Sequence, residues 1–217
     1  MKVDFTLVQE LEAPGAFYTL PKALEERLRI LPETEARAYC ATAFGFRVQS
    51  TRDHLGVSAE REMDFREACL RAALAEFVSL DEAAQRDFKT LGLEVRPPRI
   101  VRSPNPLLHV FLLLRNLNIH LCKSGLATAT KAAIWVVRGK EHHFDYNVWS
   151  VTGLTIETVG ALRDVSRHYT PRDLSRLVDW FNDQQQEWGA PHLLRLATRA
   201  YCEDLVEVAE EKAAVQT

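Results

Sequence analysis

The stretch 107-LLHVFLLLRNLNIHL-121 decides how the chain is read. Apart from His109, its first eight residues are apolar all round, the pattern of a helix buried on every side. Arg115, Asn116 and His120 then interrupt it within six residues. A polar side chain buried without a partner costs roughly 2–7 kcal/mol, so this end of the helix either finds partners or opens onto something. Successive helical residues turn by about 100°, and residues four apart share a face. Asn116 and His120 therefore look the same way, as does His109 two turns earlier. Arg115 points about 140° from His120 on an ideal helix. A joint site needs a bent helix, a long-reaching arginine, or two partial sites meeting across a two-fold axis.

Outward from this helix, read as Asn105 to Lys123 and ended by Ser124-Gly125, the pattern is mostly helical. GLEVRPPRIVRSPNP (92–106) leads into it as an extended connector, since proline and its preceding residue disfavour helix. Upstream, ETEARAYCATAFGFRVQSTRDHL (33–55) and EREMDFREACLRAALAEFVSL (60–80) repeat apolar residues at helical spacing. A further helix is expected from Asp81, a plausible N-cap. VDFTLV (3–8) suggests a short strand, then a turn at Ala13-Pro14-Gly15, with helix from Leu20. Downstream the period changes: in TKAAIWVVRGKEHHFDYNVWSV (130–151), AAIWVVR and HFDYNVWSV read as two strands joined at Gly139-Lys140. Helices then return from Thr155, from Thr170-Pro171 and from Pro191 to about Glu211. The expected fold is mainly α, a multi-helix antiparallel bundle with an inserted β-hairpin. Residues 1–217 are read as one helical domain: a core over 34–124, the hairpin over 127–152 and C-terminal helices over 154–211.

The 217 residues are 47% hydrophobic and 26% charged, with net charge −3. That balance suits a globular core and argues against a surface that grips nucleic acid everywhere, because such affinity comes from accumulated Lys and Arg. The four cysteines, Cys40, Cys69, Cys122 and Cys202, are scattered without a short metal-ligand spacing. No cationic leader opens the sequence, and the longest apolar run is far short of the roughly 20 residues of a membrane span. A cytoplasmic protein with no membrane partner, metal or other cofactor is expected.

RNLNIH resembles the R-x(4–6)-H motif of HEPN domains, in which a polar residue, often Asn, follows the arginine. Arg115, Asn116 and His120 carry the likeness, and the helical region 34–124 matches the family's context loosely. The hairpin and the last helices fall outside it. The resemblance implies a metal-independent endoribonuclease with a composite active site at a homodimer cleft, of the kind used as a toxin or defence effector under an inhibitory protein partner. The side chains suit that chemistry. Metal-free RNA cleavage needs the 2′-hydroxyl deprotonated, the phosphorane charge stabilised and the 5′-oxygen protonated. Histidine moves protons near neutral pH, and arginine offers a permanent planar fork to phosphate oxygens. Asn116 would orient His120 or touch the phosphate. Two other readings stay open: an inert HEPN-like module that binds nucleotide or RNA or only dimerises, and a helical interaction scaffold in which Arg115 sits in a structural network.

Other polar clusters have plainer explanations beside the functional ones. Arg99 and Arg102, with Arg96, precede the motif helix and are expected to line the same RNA groove as Lys123, or to face solvent as spacers. In LRDVSRHYTPRD (162–173), Arg163, Arg167, His168 and Arg172 gather cations, with Tyr169 available to stack a base; a basic helix C-terminus is the alternative. Glu141, His142, His143 and Asp145 have metal-ligand character, but adjacent strand residues point to opposite faces. Arg52, Asp53 and His54 read as a helix end. Trp180, Phe181 and Trp188, at near-helical spacing, read as core.

Overall fold

The computed structural model describes residues 3–8, 19–50, 58–121, 125–137, 140–162 and 165–216. The apolar stretch forms helix α4, Pro106–Leu121. Leu107, Leu108, Val110, Phe111, Leu114 and Leu117 are at most 2% exposed. Around α4 stand α3 (Ala59–Thr90), α7 (Pro171–Trp188) and α8 (Ala190–Gln216). Phe111 meets Phe77 of α3 and Phe181 of α7 edge-on, at 6.0 and 5.5 Å between ring centres. Burying one such ring contributes about 1.5–3 kcal/mol, so this aromatic row is a main tie between three helices. Phe181 is the core residue expected of its segment, while Trp180 and Trp188 are half-buried.

Around this centre, α1 (Lys22–Leu28) and α2 (Pro32–Gln49) complete the helical body, α2 pairing along α3 and against α8. The chain is a mainly helical bundle with a two-stranded antiparallel hairpin, β1 (Leu126–Val137) and β2 (Lys140–Val151), as expected. Two short helices, α5 (Ile156–Gly160) and α6 (Val165–His168), link the hairpin to α7. The side chain of Thr155 caps α5 through a reciprocal box with Thr158. Gly189, at φ 81°, takes a positive-φ conformation that favours glycine and ends α7 directly before α8.

Two local expectations fail. Residues 3–8 form no strand: Phe5–Val8 is a 3-10 turn. The Asp4 carboxylate accepts the Thr6 N–H at 3.0 Å and the Thr6 hydroxyl at 2.7 Å, which coils the backbone locally. Nor does a new helix start at Asp81, because α3 runs unbroken for 32 residues. No Gly or Pro interrupts it, and its backbone has no reason to stop at Leu80. Asp81 acts across the fold instead. Its Oδ1 accepts the Ile100 N–H at 3.0 Å and lies 2.5 Å from the Tyr201 hydroxyl, while Oδ2 accepts from Arg99 Nε at 3.0 Å. One carboxylate thus joins α3, the proline-rich connector and α8. Asp87, two turns on, accepts the Glu33 and Thr34 N–H groups at 3.1 and 2.8 Å. It caps the start of α2, which has no capping side chain of its own.

The hairpin pairs twelve residues per strand, from Leu126↔Val151 to Val137↔Lys140, and at roughly 3.4 Å per residue is about 35–40 Å long. Of the expected turn, Gly139-Lys140, Gly139 lies outside the described residues and Lys140 is the first residue of β2. Its base is anchored by Gln185 of α7, whose Oε1 accepts the Val151 N–H at 2.7 Å and whose Nε2 donates to the Val151 carbonyl at 3.0 Å. The amide side chain thus substitutes for a strand neighbour. Val148, Trp149 and Val151 are buried there, whereas Ile134, further out, is 58% exposed. Among the described residues, no helix is long and apolar enough to cross a membrane.

Asp81→Ala should destabilise the protein by about 2–4 kcal/mol, since each polar group stripped of its partner costs roughly 1–3 kcal/mol. Denaturant unfolding checks this, and a change below 1 kcal/mol would show that water replaces the carboxylate at little cost.

Candidate functional site

Arg115 and Asn116 sit in the C-terminal half of α4, both half-buried, between the buried Leu114 and Leu117. Arg115 Nη1 donates to Asn116 Oδ1 at 3.1 Å. The guanidinium therefore folds across its own helix towards the face of Asn116, which is also the face of position 120 one turn later. The reach of the arginine narrows the angular gap without a bent helix. Arg115 Nε is buried and has no hydrogen-bond partner. Among the described residues Arg115 has no carboxylate partner, so its charge is held by one neutral amide. A permanent cation with an unsatisfied donor is suited to an anionic oxygen. His120 belongs to α4, but its side chain lies outside the described structure, as do Lys123 and Cys122 entirely.

The other end of α4 is a different environment. His109 is fully buried, its Nε2 2.6 Å from the Ser103 carbonyl and its Nδ1 2.5 Å from the Tyr169 hydroxyl. A carbonyl can only accept, so Nε2 carries the proton and Nδ1 accepts from Tyr169. Burial lowers the pKa of His109 from its usual value. This arrangement corrects the expectation for Tyr169. It is 8% exposed, with its ring edge-on to His109 at 5.5 Å, and offers no open face to a base.

The connector arginines also stand apart from Arg115. Arg99 and Arg102 lie just before α4 begins, whereas Arg115 is nine residues into it, about 14 Å along the axis at 1.5 Å per residue. Arg99 and Arg102 line a cleft whose lining does not include Arg115. Arg167, His168 and Arg172 are exposed, Arg167 and His168 in the last turn of α6, where the helix dipole favours cations. Arg163 and residues 52–54 lie outside the described structure. His142 and His143 occupy adjacent positions opposite Trp135 and Ile134 and are exposed, His143 Nε2 lying 3.7 Å from Glu141. Among the described residues, no three His, Cys, Asp or Glu side chains gather as a metal site requires.

Arg66 was not singled out by the sequence, although it is 5% exposed. It bonds Glu62 and the Val48 carbonyl and lies 4.6 Å over the Trp149 ring. Its partners satisfy it, which separates it from Arg115. A charged residue on the apolar stripe of EREMDFREACL was the available signal.

The lowered pKa of His109 predicts a pH dependence. Unfolded, the imidazole takes up a proton near its ordinary 6.5; folded, it resists until lower pH. Between those values the unfolded state binds more protons, so stability is full above about 6.5 and falls as pH drops. Unfolding midpoints from pH 7.5 to 5 should decline in the wild type and decline less in His109→Gln. Parallel slopes would exclude His109 as the source.

No protein-family model, no curated protein and no solved structure matches the chain.

Proposed function

We propose that the protein is a metal-independent endoribonuclease of the HEPN type, with Arg115 as phosphate clamp, His120 as general acid or base and Asn116 as the orienting amide. The observation that carries the reading is the state of Arg115: half-buried, bonded to Asn116, with a buried Nε that nothing satisfies. A structural arginine in a core has its donors paired, as Arg66 has. Arg115, with no carboxylate partner among the described residues, leaves its charge available to an anionic oxygen.

In this mechanism the 2′-oxygen loses its proton to a base and attacks the adjacent phosphorus. The bond to the 5′-oxygen breaks, and that oxygen takes a proton as it leaves. The products are a 2′,3′-cyclic phosphate and a 5′-hydroxyl, with no net oxidation and no water consumed in this step. Arg115 opposes the charge that grows on the non-bridging oxygens. His120 serves one proton transfer. The second would come from the same residues of another copy across a two-fold axis, which makes the active form a homodimer. Such an enzyme fits a toxin or defence effector restrained by an inhibitory partner.

Wild type, Arg115→Ala and His120→Ala should be compared on structured and single-stranded RNA in EDTA, with thermal unfolding alongside. Wild type is expected to cleave, and each variant to lose about 10²–10⁴-fold, the range for general acid–base groups and oxyanion donors. Unfolding of Arg115→Ala should stay near wild type, because the change removes one neutral-acceptor hydrogen bond on the same helix and relieves an unsatisfied buried donor. Cleavage that persists in His120→Ala, free of contaminating nuclease, would sink the mechanism. A large stability loss in Arg115→Ala would make the arginine structural.

A further inference from the structure

At the start of α4, the connector and α8 enclose a second polar site. A cleft of about 790 Å³ is lined by Arg96, Arg99 and Arg102, with Tyr201 and Asp204 of α8 on its other wall. That volume lies within the roughly 300–1,000 Å³ of small-ligand sites.

The cleft is built rather than incidental. Pro97, Pro98 and Pro104 also line it, and proline fixes φ near −65°. Asp81 holds the intervening segment through the Ile100 N–H and Arg99 Nε. The Tyr201 hydroxyl, 2.8 Å from the Pro98 carbonyl, ties the same segment to α8. The arginines therefore spring from a backbone locked before any ligand arrives, which reduces the ordering cost of binding.

Two of the three charges are uncommitted. Arg99 uses Nε on Asp81 and is 45% exposed. Arg96 and Arg102 are exposed, and among the described residues neither has an ion-pair partner. Among the described residues Asp204 is the one carboxylate lining the cleft, and Asp81 pairs with Arg99 beside it. Two unpaired arginines and the partly committed Arg99 lining one cleft match a group with several charged oxygens, and phosphate fits them better than a single carboxylate.

We propose that this cleft binds the phosphate groups of a small phosphorylated ligand, such as a nucleoside diphosphate, through Arg96, Arg99 and Arg102. The site stands at the opposite end of α4 from Arg115 and does not depend on the nuclease reading.

Titration calorimetry with inorganic pyrophosphate, ADP and a short single-stranded oligoribonucleotide tests it, at one ionic strength. Pyrophosphate and ADP should bind with submillimolar Kd, and the double variant Arg96→Ala/Arg102→Ala should weaken both at least tenfold. Both side chains are exposed, so its unfolding midpoint should match wild type; Arg115→Ala should bind as wild type does. No binding of pyrophosphate or ADP at millimolar concentration would overturn the proposal. So would an affinity unchanged in the double variant, which would put the phosphate elsewhere. Binding of the oligonucleotide alone, lost in the double variant, would make the cleft a strand-binding groove and overturn it equally.

Discussion

The need to bury α4 on nearly every side governs the rest of the structure. A helix whose first two turns are apolar all round apart from His109 must be enclosed, and α3, α7 and α8 do this, α3 and α7 through the Phe77–Phe111–Phe181 row. Enclosure makes the entry to α4 a polar problem. The chain must pass from the end of α3 to the centre of the bundle, and its backbone groups need partners on the way. Asp81 and Tyr201 serve the connector, and His109 serves the Ser103 carbonyl from inside the helix. Further along the helix, Arg115 and Asn116 are half-buried between Leu114 and Leu117, which are fully buried. One helix thus has a sealed polar start and an incompletely satisfied polar finish.

The links between elements are made largely by side chains that bond another element's backbone. Asp81 holds the connector, Asp87 caps α2 from α3, and Gln185 closes the base of the hairpin. Hydrogen bonds to charged groups are worth about 1.5–3 kcal/mol, more than neutral ones. Because each fixes a direction as well as a distance, these contacts set how helices meet in a way apolar packing alone would leave looser. The same fixing of the connector is what gives the arginine-lined cleft its shape.

Much of the fold was legible because it rests on periodicity. The change from helical to alternating pattern after residue 125 marked the hairpin, and Thr170-Pro171 marked the start of α7. The failures were at signals that are only local. Asp81 has the residue type of an N-cap, but its partners are nineteen and a hundred and twenty residues away. Tyr169 among cations looked like an exposed stacking ring, and its real partner, His109, is sixty residues off. In both cases the side chain's chemistry was read correctly and its neighbour was not, since nothing in the nearby residues names a distant partner.

The sequence by itself determined the mainly helical class, the hairpin, the apolar central helix and the adjacency of an arginine and an amide near its end. Those features follow from residue spacing, which acts within a few turns or a few paired residues. Only the tertiary structure decided that Arg115 folds onto Asn116 with a donor left over, that His109 and Tyr169 satisfy each other, and that Arg99 and Arg102 face a cleft of their own. Those outcomes depend on which elements enclose which. Burial and hydrogen-bond satisfaction are properties of the packed whole, set by contacts between segments far apart in the chain.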